Sequence, residues 1–230
     1  MLLMQSKKLS LLAVLFILTV GSFAQTTARL PQDMIDSSEF KSLLFNTFVD
    51  GVVLMKSKKV EKAPLNYNAT HQSINFISAG KYYTLTGLED VDTIYIQPKK
   101  FVPVKNDIYE VISIFNKSTS LLASYTTHTR PLVATSDHNG TNKQVDNQVS
   151  NTVSDVYVSR NYKGNSSIEL QRHFWVKVGE TLYKADTKAQ IRKAFPTKSK
   201  GEIDNYINAN NINLLVESNV ISLMEFMMKR

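Results

Sequence analysis

Residues 91–115 read VDTIYIQPKKFVPVKNDIYEVISIF. Ile94 and Ile96 stand two apart, and so do Val102 and Val104. From Ile108 the pattern continues, with Ile108, Ile112 and Ile114 set against Tyr109, Val111 and Phe115. A period of two is that of a strand that buries one face. Pro98 and Pro103 mark strand ends or edges, because proline donates nothing to a ladder.

The same period extends in both directions. Upstream, Val52 to Met55 forms a strand that Ser57-Lys58-Lys59 turns. Ala63, Leu65 and Tyr67 share a face, with Pro64 again read as an edge or strand end; Ile74 and Phe76 share another. Ala79-Gly80-Lys81 makes the next turn, before Tyr83 and Leu85. Downstream, Ser120 to Thr126, Val156 to Val158 and Ile168 to Val178 read as strands. Phe174, Val176 and Val178 lie on one face of the last. Gly179-Glu180 turns that strand into a return over Thr181–Ala185, glycine supplying a positive φ. Short alternating runs every 8–12 residues or so predict an antiparallel β domain.

Both ends of this region are helical by pattern. Phe40, Leu43, Leu44 and Phe48 predict a short helix over Ser38–Phe48, broken by Gly51. After Ala185, Thr187 with Gln190 and Ser199 with Glu202 match the capping box that opens a helix. A further helix starts near Glu217 and carries Val220, Leu223, Met224 and Met227 on one face. The expected class is α+β: an antiparallel meander, sandwich-like or partly open and barrel-like, with a short N-terminal helix and two to three C-terminal helices.

Lys7 and Lys8 precede an apolar run from Leu9 to Val20, and Gly21-Ser22-Phe23-Ala24 follows. This is the pattern of a secretory signal peptide cut after Ala24. The expected organisation is a signal peptide over 1–24, a flexible leader over 25–37, a β domain over 38–185 and a helical segment over 186–230. The sequence contains no cysteine, which excludes disulfides, thiol nucleophiles and thiolate metal sites. The whole chain carries 27 basic and 20 acidic residues. Without Lys7 and Lys8 of the signal peptide the balance is +5, which favours anionic partners such as lipopolysaccharide, phospholipid surfaces or acidic glycans. Export argues against nucleic acid. The expected chain after cleavage has no transmembrane segment, and the partner is an unidentified envelope component or anionic surface in the periplasm, at the outer membrane or outside the cell.

Candidate sites are few. Residues 136–152 form a polar loop in which Asp137, Asn139 and Asp146 fall near calcium-loop positions around Gly140. Thr135 and Lys143 occupy two of the ligand positions, so a solvated, metal-free loop is expected. His71, His128, His138 and His173 form no helical metal pair. No nucleophile-elbow or glycine-rich phosphate motif is present. No catalytic residue, metal ligand or cofactor is assigned. The candidate anion or ligand contacts are Lys56, Lys58, Lys59, Lys99 and Lys100, with His128 and Arg130 at a strand end. The lysines make one surface only if the meander brings their turns together. Otherwise they are solvated edges that discourage aggregation.

Several features taken in order resemble a known family: Leu44-Phe45, Phe48 and Gly51-Val52-Val53, the hairpin APLNYNATHQSINFI over 63–77, Val91–Ile96 leading to Phe101, Tyr109-Glu110-Val111, and the helices around Phe195, Ile203 and Tyr206. The family is one of small exported proteins of Gram-negative bacteria without an assigned activity. The resemblance covers about residues 40–230. It implies an envelope or secreted setting and supplies no catalytic residue. The expected function is a non-enzymatic binding or structural module, with an envelope hydrolase acting on glycan or peptide as the alternative.

Overall fold

The computed structural model describes residues 38–131, 157–162 and 166–229. The expected signal peptide and leader, the expected polar loop with its calcium-like positions, and His138 lie outside the described residues. Eleven strands form one antiparallel sheet. They are β1 (Val49–Met55), β2 (Val60–Asn68), β3 (Ser73–Ser78), β4 (Lys81–Thr84), β5 (Val91–Ile96), β6 (Lys99–Val104), β7 (Asp107–Ile114), β8 (Thr119–Pro131), β9 (Tyr157–Tyr162), β10 (Ser166–Val178) and β11 (Thr181–Lys184). The order is β11-β10-β8-β7-β6-β5-β1-β2-β3-β4, with β9 also on β10. Among the described residues no pairing joins β4 to β11, so the sheet is open. The helices are α1 (Ser38–Lys41), α2 (Lys188–Ala194), α3 (Lys200–Ala209) and α4 (Glu217–Met228).

The sheet coils on itself. Tyr67 of β2 is fully buried; its ring stacks on Phe101 of β6 at 5.4 Å and meets Tyr125 of β8 edge-on at 5.6 Å. Five strand spacings separate β2 from β8, about 24 Å in a flat sheet. Only strong coiling brings those rings together. Gly51 lies inside β1 and leaves no room for a side chain. A Cβ there would meet Leu65 Cδ1 at 2.6 Å and the Tyr95 carbonyl oxygen at 2.7 Å. A strand glycine often marks such a close approach of another backbone.

One face of β8 and β10 carries two apolar stretches with Arg172 between them, and two layers cover it. Tyr125, Ile168 and Leu170 join the core made by β1, β2, β3, β5, β6 and β7. Leu121, Ala123, Phe174 and Val176 join Ile191, Ile203, Ile207, Val220, Leu223 and Met224 of the three C-terminal helices. The Ser199–Glu202 capping box forms in both directions. At Thr187 only the hydroxyl half forms, accepting from the Gln190 amide. Tyr206 of α3 stacks on Phe226 of α4 at 4.1 Å.

Three local expectations are corrected. The first helix is one turn long, not eleven residues, because β2 claims its backbone. Leu44 N donates to the Tyr67 carbonyl, Ala69 N donates to the Ser42 carbonyl, and Asn66 Oδ1 accepts from Phe45 N. Second, a bulge between Val111 and Ser113 inserts Ile112 and flips the parity of β7. Ile114 therefore pairs with Ser120 on the Val111 face, while Phe115 packs with Ile112 against the helical core. Third, Pro64 lies inside β2, away from its ends, whereas Pro103 stands one residue from the end of β6 as expected. Each falls where the ladder to its second neighbour is absent, before Leu65 pairs β3 and after Phe101 leaves β5.

Two glycines predict opposite outcomes. Gly51→Ala should cost about 1–3 kcal/mol by overpacking. Gly201→Ala, in α3 with open space around it, should stabilise by about 0.5–1 kcal/mol. Urea denaturation of both variants checks the signs. Leu223 is fully buried, so Leu223→Ala should cost about 2–5 kcal/mol by the same measurement, and exposed Glu225→Ala almost nothing.

Candidate ligand-binding face

The outer face of the sheet carries a row of side chains fixed by register. Lys62 lies opposite Val52, Val52 opposite Tyr95, and Tyr95 opposite Lys100. Continuing the β6–β7 register by one residue sets Lys100 against Val111. Val111 then faces Leu122, Leu122 faces Trp175, and Trp175 faces Lys184. The row thus sets three cations among apolar and aromatic side chains across eight strands. Lys100 Nζ sits 6.0 Å from the Tyr95 ring centre, and Lys184 Nζ 5.3 Å from that of Trp175. Both are cation–π contacts.

A trough of about 270 Å³ opens along this row. Val102, Val104, Val111 and Leu122 form its floor, and Lys100, Lys117 and Lys177 its rim. Ile114 also lines it and is 63% exposed, a position that follows from the β7 bulge. The Asn116 carboxamide shapes one end. Its Oδ1 accepts from the backbone of Ser118 and Thr119 at 2.8 Å each, an Asx turn that holds the Lys117 turn. Gly179, with φ of +58°, donates from its amide to the Ser118 carbonyl at 2.8 Å. That bond ties the β10–β11 hairpin to the same turn. The electrostatics are one-sided. Lys177 reaches Glu180 at 3.8 Å, but Glu180 is 97% exposed and such a pair is weak. Lys117 has no carboxylate partner among the described residues.

The lysines singled out from the sequence separate. Lys56, Lys58 and Lys59 turn β1 into β2 at the Met55–Val91 end of the β1–β5 pair, whereas Lys99 and Lys100 start β6 at the Gly51–Ile96 end. Lys56 Nζ donates to the Glu89 carbonyl, and Lys59 pairs with Glu61. Arg130 pairs with Glu169 at 3.4 Å, across from exposed His128. Of the seven candidates, Lys100 alone lines the trough. Lys117, Lys177 and Trp175 were missed. Alternation within each strand placed residues on faces, but the order of strands across the sheet is non-local.

Behind the trough, adjacent Lys99 points inward. Its Nζ lies 2.6 Å from Glu110 Oε1, and the Tyr125 hydroxyl donates to Glu110 Oε2. Arg172 reaches Glu217 of α4 at 2.6 Å and lies 4.7 Å from the Phe174 ring. This charged layer separates the two apolar cores. Burial, then the charge of Glu110, holds the Tyr125 phenol well above its ordinary range. Burial also pushes His173 below its ordinary value, although Asp186 opposes the shift. Among the described residues no group of three or more His, Asp or Glu is placed to hold a metal, and no helix is long and apolar enough to cross a membrane.

Glu110 is 5% exposed, so Lys99→Met strands a buried carboxylate and should cost about 3 kcal/mol. Adding Glu110→Gln keeps an acceptor for Tyr125 and should recover part of that loss. Equal stabilities of the single and double variants in urea would show that the pair is not coupled.

No family model, curated protein or solved structure matches this chain; what it does is read from the chemistry of its own surface.

Proposed function

We propose that the chain is an exported, non-enzymatic binding module of the bacterial cell envelope. It belongs with the small exported proteins it resembles and is built on a coiled, partly open barrel-like sheet. Export rests on the basic, apolar and small-residue pattern of residues 1–24. The binding role rests on one observation, the trough rimmed by Lys100, Lys117 and Lys177. Three ammonium groups over an apolar floor attract an anion and give it charge-assisted hydrogen bonds. The volume falls just below the range of pockets that enclose a whole small ligand, about 300–1,000 Å³. An open trough of this size seats a single slender molecule or one segment of a larger partner. The hydrolase alternative needs a histidine and carboxylates converging in a deep pocket. His128 instead stands exposed beside the Arg130–Glu169 pair.

The chain purified from its native envelope should begin at Gln25. Immobilised, it should retain phosphate- or uronate-bearing material from an envelope extract and release it in high salt. Lys100→Glu with Lys177→Glu should lower retention at least about tenfold, since it removes two charge-assisted contacts of about 1.5 kcal/mol each. Equal retention by the folded double variant would overturn the trough as the site, and an intact Met1 would overturn export.

A further inference from the structure

The trough's lining narrows its ligand class; the step rests on reading the trough as the binding site. We infer that it takes one anionic amphiphile, a single acyl chain ending in a phosphate or carboxylate. The head pairs with Lys100, Lys117 and Lys177, and the chain lies over Val111 and Leu122 towards Trp175.

Five observations carry this. The floor is aliphatic at Val102, Val104, Val111 and Leu122, with the Ser118–Ser120 side of the lining polar, and the aromatic side chain nearest it on the row is already engaged. Lys184 covers a face of Trp175, and Tyr109 meets it edge-on at 5.7 Å. The trough therefore offers little free ring surface on which a sugar could stack. Ile114, 63% exposed at the margin, extends the apolar surface outward beside the cations, which is the pairing an amphiphile matches. The cations are lysines, point charges on flexible stems, rather than the planar forks that grip one rigid anion. Their methylenes add apolar wall while the amines stay wet. Register sets the Lys100 and Lys177 backbones three strand spacings apart, about 14 Å across the trough, so both amines can lean towards a head between them. Finally, Glu180 projects from the adjoining hairpin at 97% exposure, and Asp107 is exposed beyond Val104. Both would press against an anionic bilayer, so the occupant is one molecule, not a lipid surface.

Trp175 is the sole tryptophan of the chain and lies opposite Leu122, so its fluorescence reports on the floor. The full chain is titrated with octyl, decyl and dodecyl phosphate below their micelle thresholds. Each methylene seated on apolar surface is worth up to about fourfold in affinity. Saturable change at Trp175 is expected, with affinity rising about three- to fifteenfold for every two methylenes added. Lys100→Glu with Lys177→Glu should weaken every member of the series about tenfold or more. Val111→Thr, a near-isosteric change on the path assigned to the chain, should lower the gain in affinity per added methylene.

Inorganic phosphate binding as tightly as decyl phosphate would reduce the trough to an ion site and overturn the amphiphile. Equal binding of a neutral decyl alcohol would remove the lysines from the account, with the same result. Binding only to phosphatidylglycerol vesicles would transfer the role to a membrane surface. Saturation by polygalacturonate, abolished by the lysine substitutions and unmatched by any alkyl phosphate, would leave the binding module standing and replace its ligand by a glycan. No response to any probe, with retention of envelope material still lost in the lysine variant, would refute the amphiphile alone.

Discussion

A tyrosine ring from the second strand holds the sheet in its coil. Tyr67 has no exposed surface and touches rings from β6 and β8, strands three and five places away in the order. Aromatic pairs of this kind contribute about 0.5–1.5 kcal/mol each beyond the area they bury. The larger consequence is topological. With β2 seated on β8, the inner face of the first half of the sheet becomes core, and the outer face is left to the solvent. Gly51 is a second constraint, since the packing leaves no room for a side chain between Leu65 and the Tyr95 carbonyl. Attraction at Tyr67 therefore sets the curvature, and the missing side chain at Gly51 admits Leu65 and the Tyr95 carbonyl beside it.

That curvature explains why two neighbouring lysines have unrelated roles. Successive residues of a strand point to opposite faces. Lys99 falls inside and balances Glu110, and Lys100 falls outside on the Tyr95 ring. The inner pair lies between two apolar cores, where replacement by hydrocarbon is often neutral or stabilising. Its value is therefore one of register. A one-residue slip of β6 would bury Lys100 opposite Glu110 and carry Phe101 out to the surface. The ladder that seats the core is the one that presents the trough.

What was legible in the sequence was local. The α4 face of Val220, Leu223, Met224 and Met227 was readable because a 3.6-residue period needs no partner to be seen, and all four side chains are buried. The Ser199–Glu202 cap was readable for the same reason. Ile114 was assigned to the wrong face, because a bulge depends on the partner strand and leaves the period of β7 looking intact. The predicted helix over Ser38–Phe48 had the right spacing, but hydrogen bonds from β2 outcompeted it. The trough was the least legible part. Its cations come from β6, the β7–β8 turn and β10, and only strand order makes them neighbours.

The floor of the trough is also the back of the helix-covered core. Along β8, Leu121 and Ala123 face the helices, and Leu122 between them faces outward. Along β10, Phe174 and Val176 face inward, with Trp175 and Lys177 outward. Each outward residue is held by backbone whose flanking side chains are packed, so the apolar floor is rigid. The rim differs, because its amines end four-carbon stems and Lys117 sits on a turn held by Asn116. A stiff floor spares the ordering cost that an apolar contact would otherwise meet on binding. Mobile charges let the head settle without a fixed geometry. The fold thus puts rigidity where a chain must lie and freedom where a charge must be found.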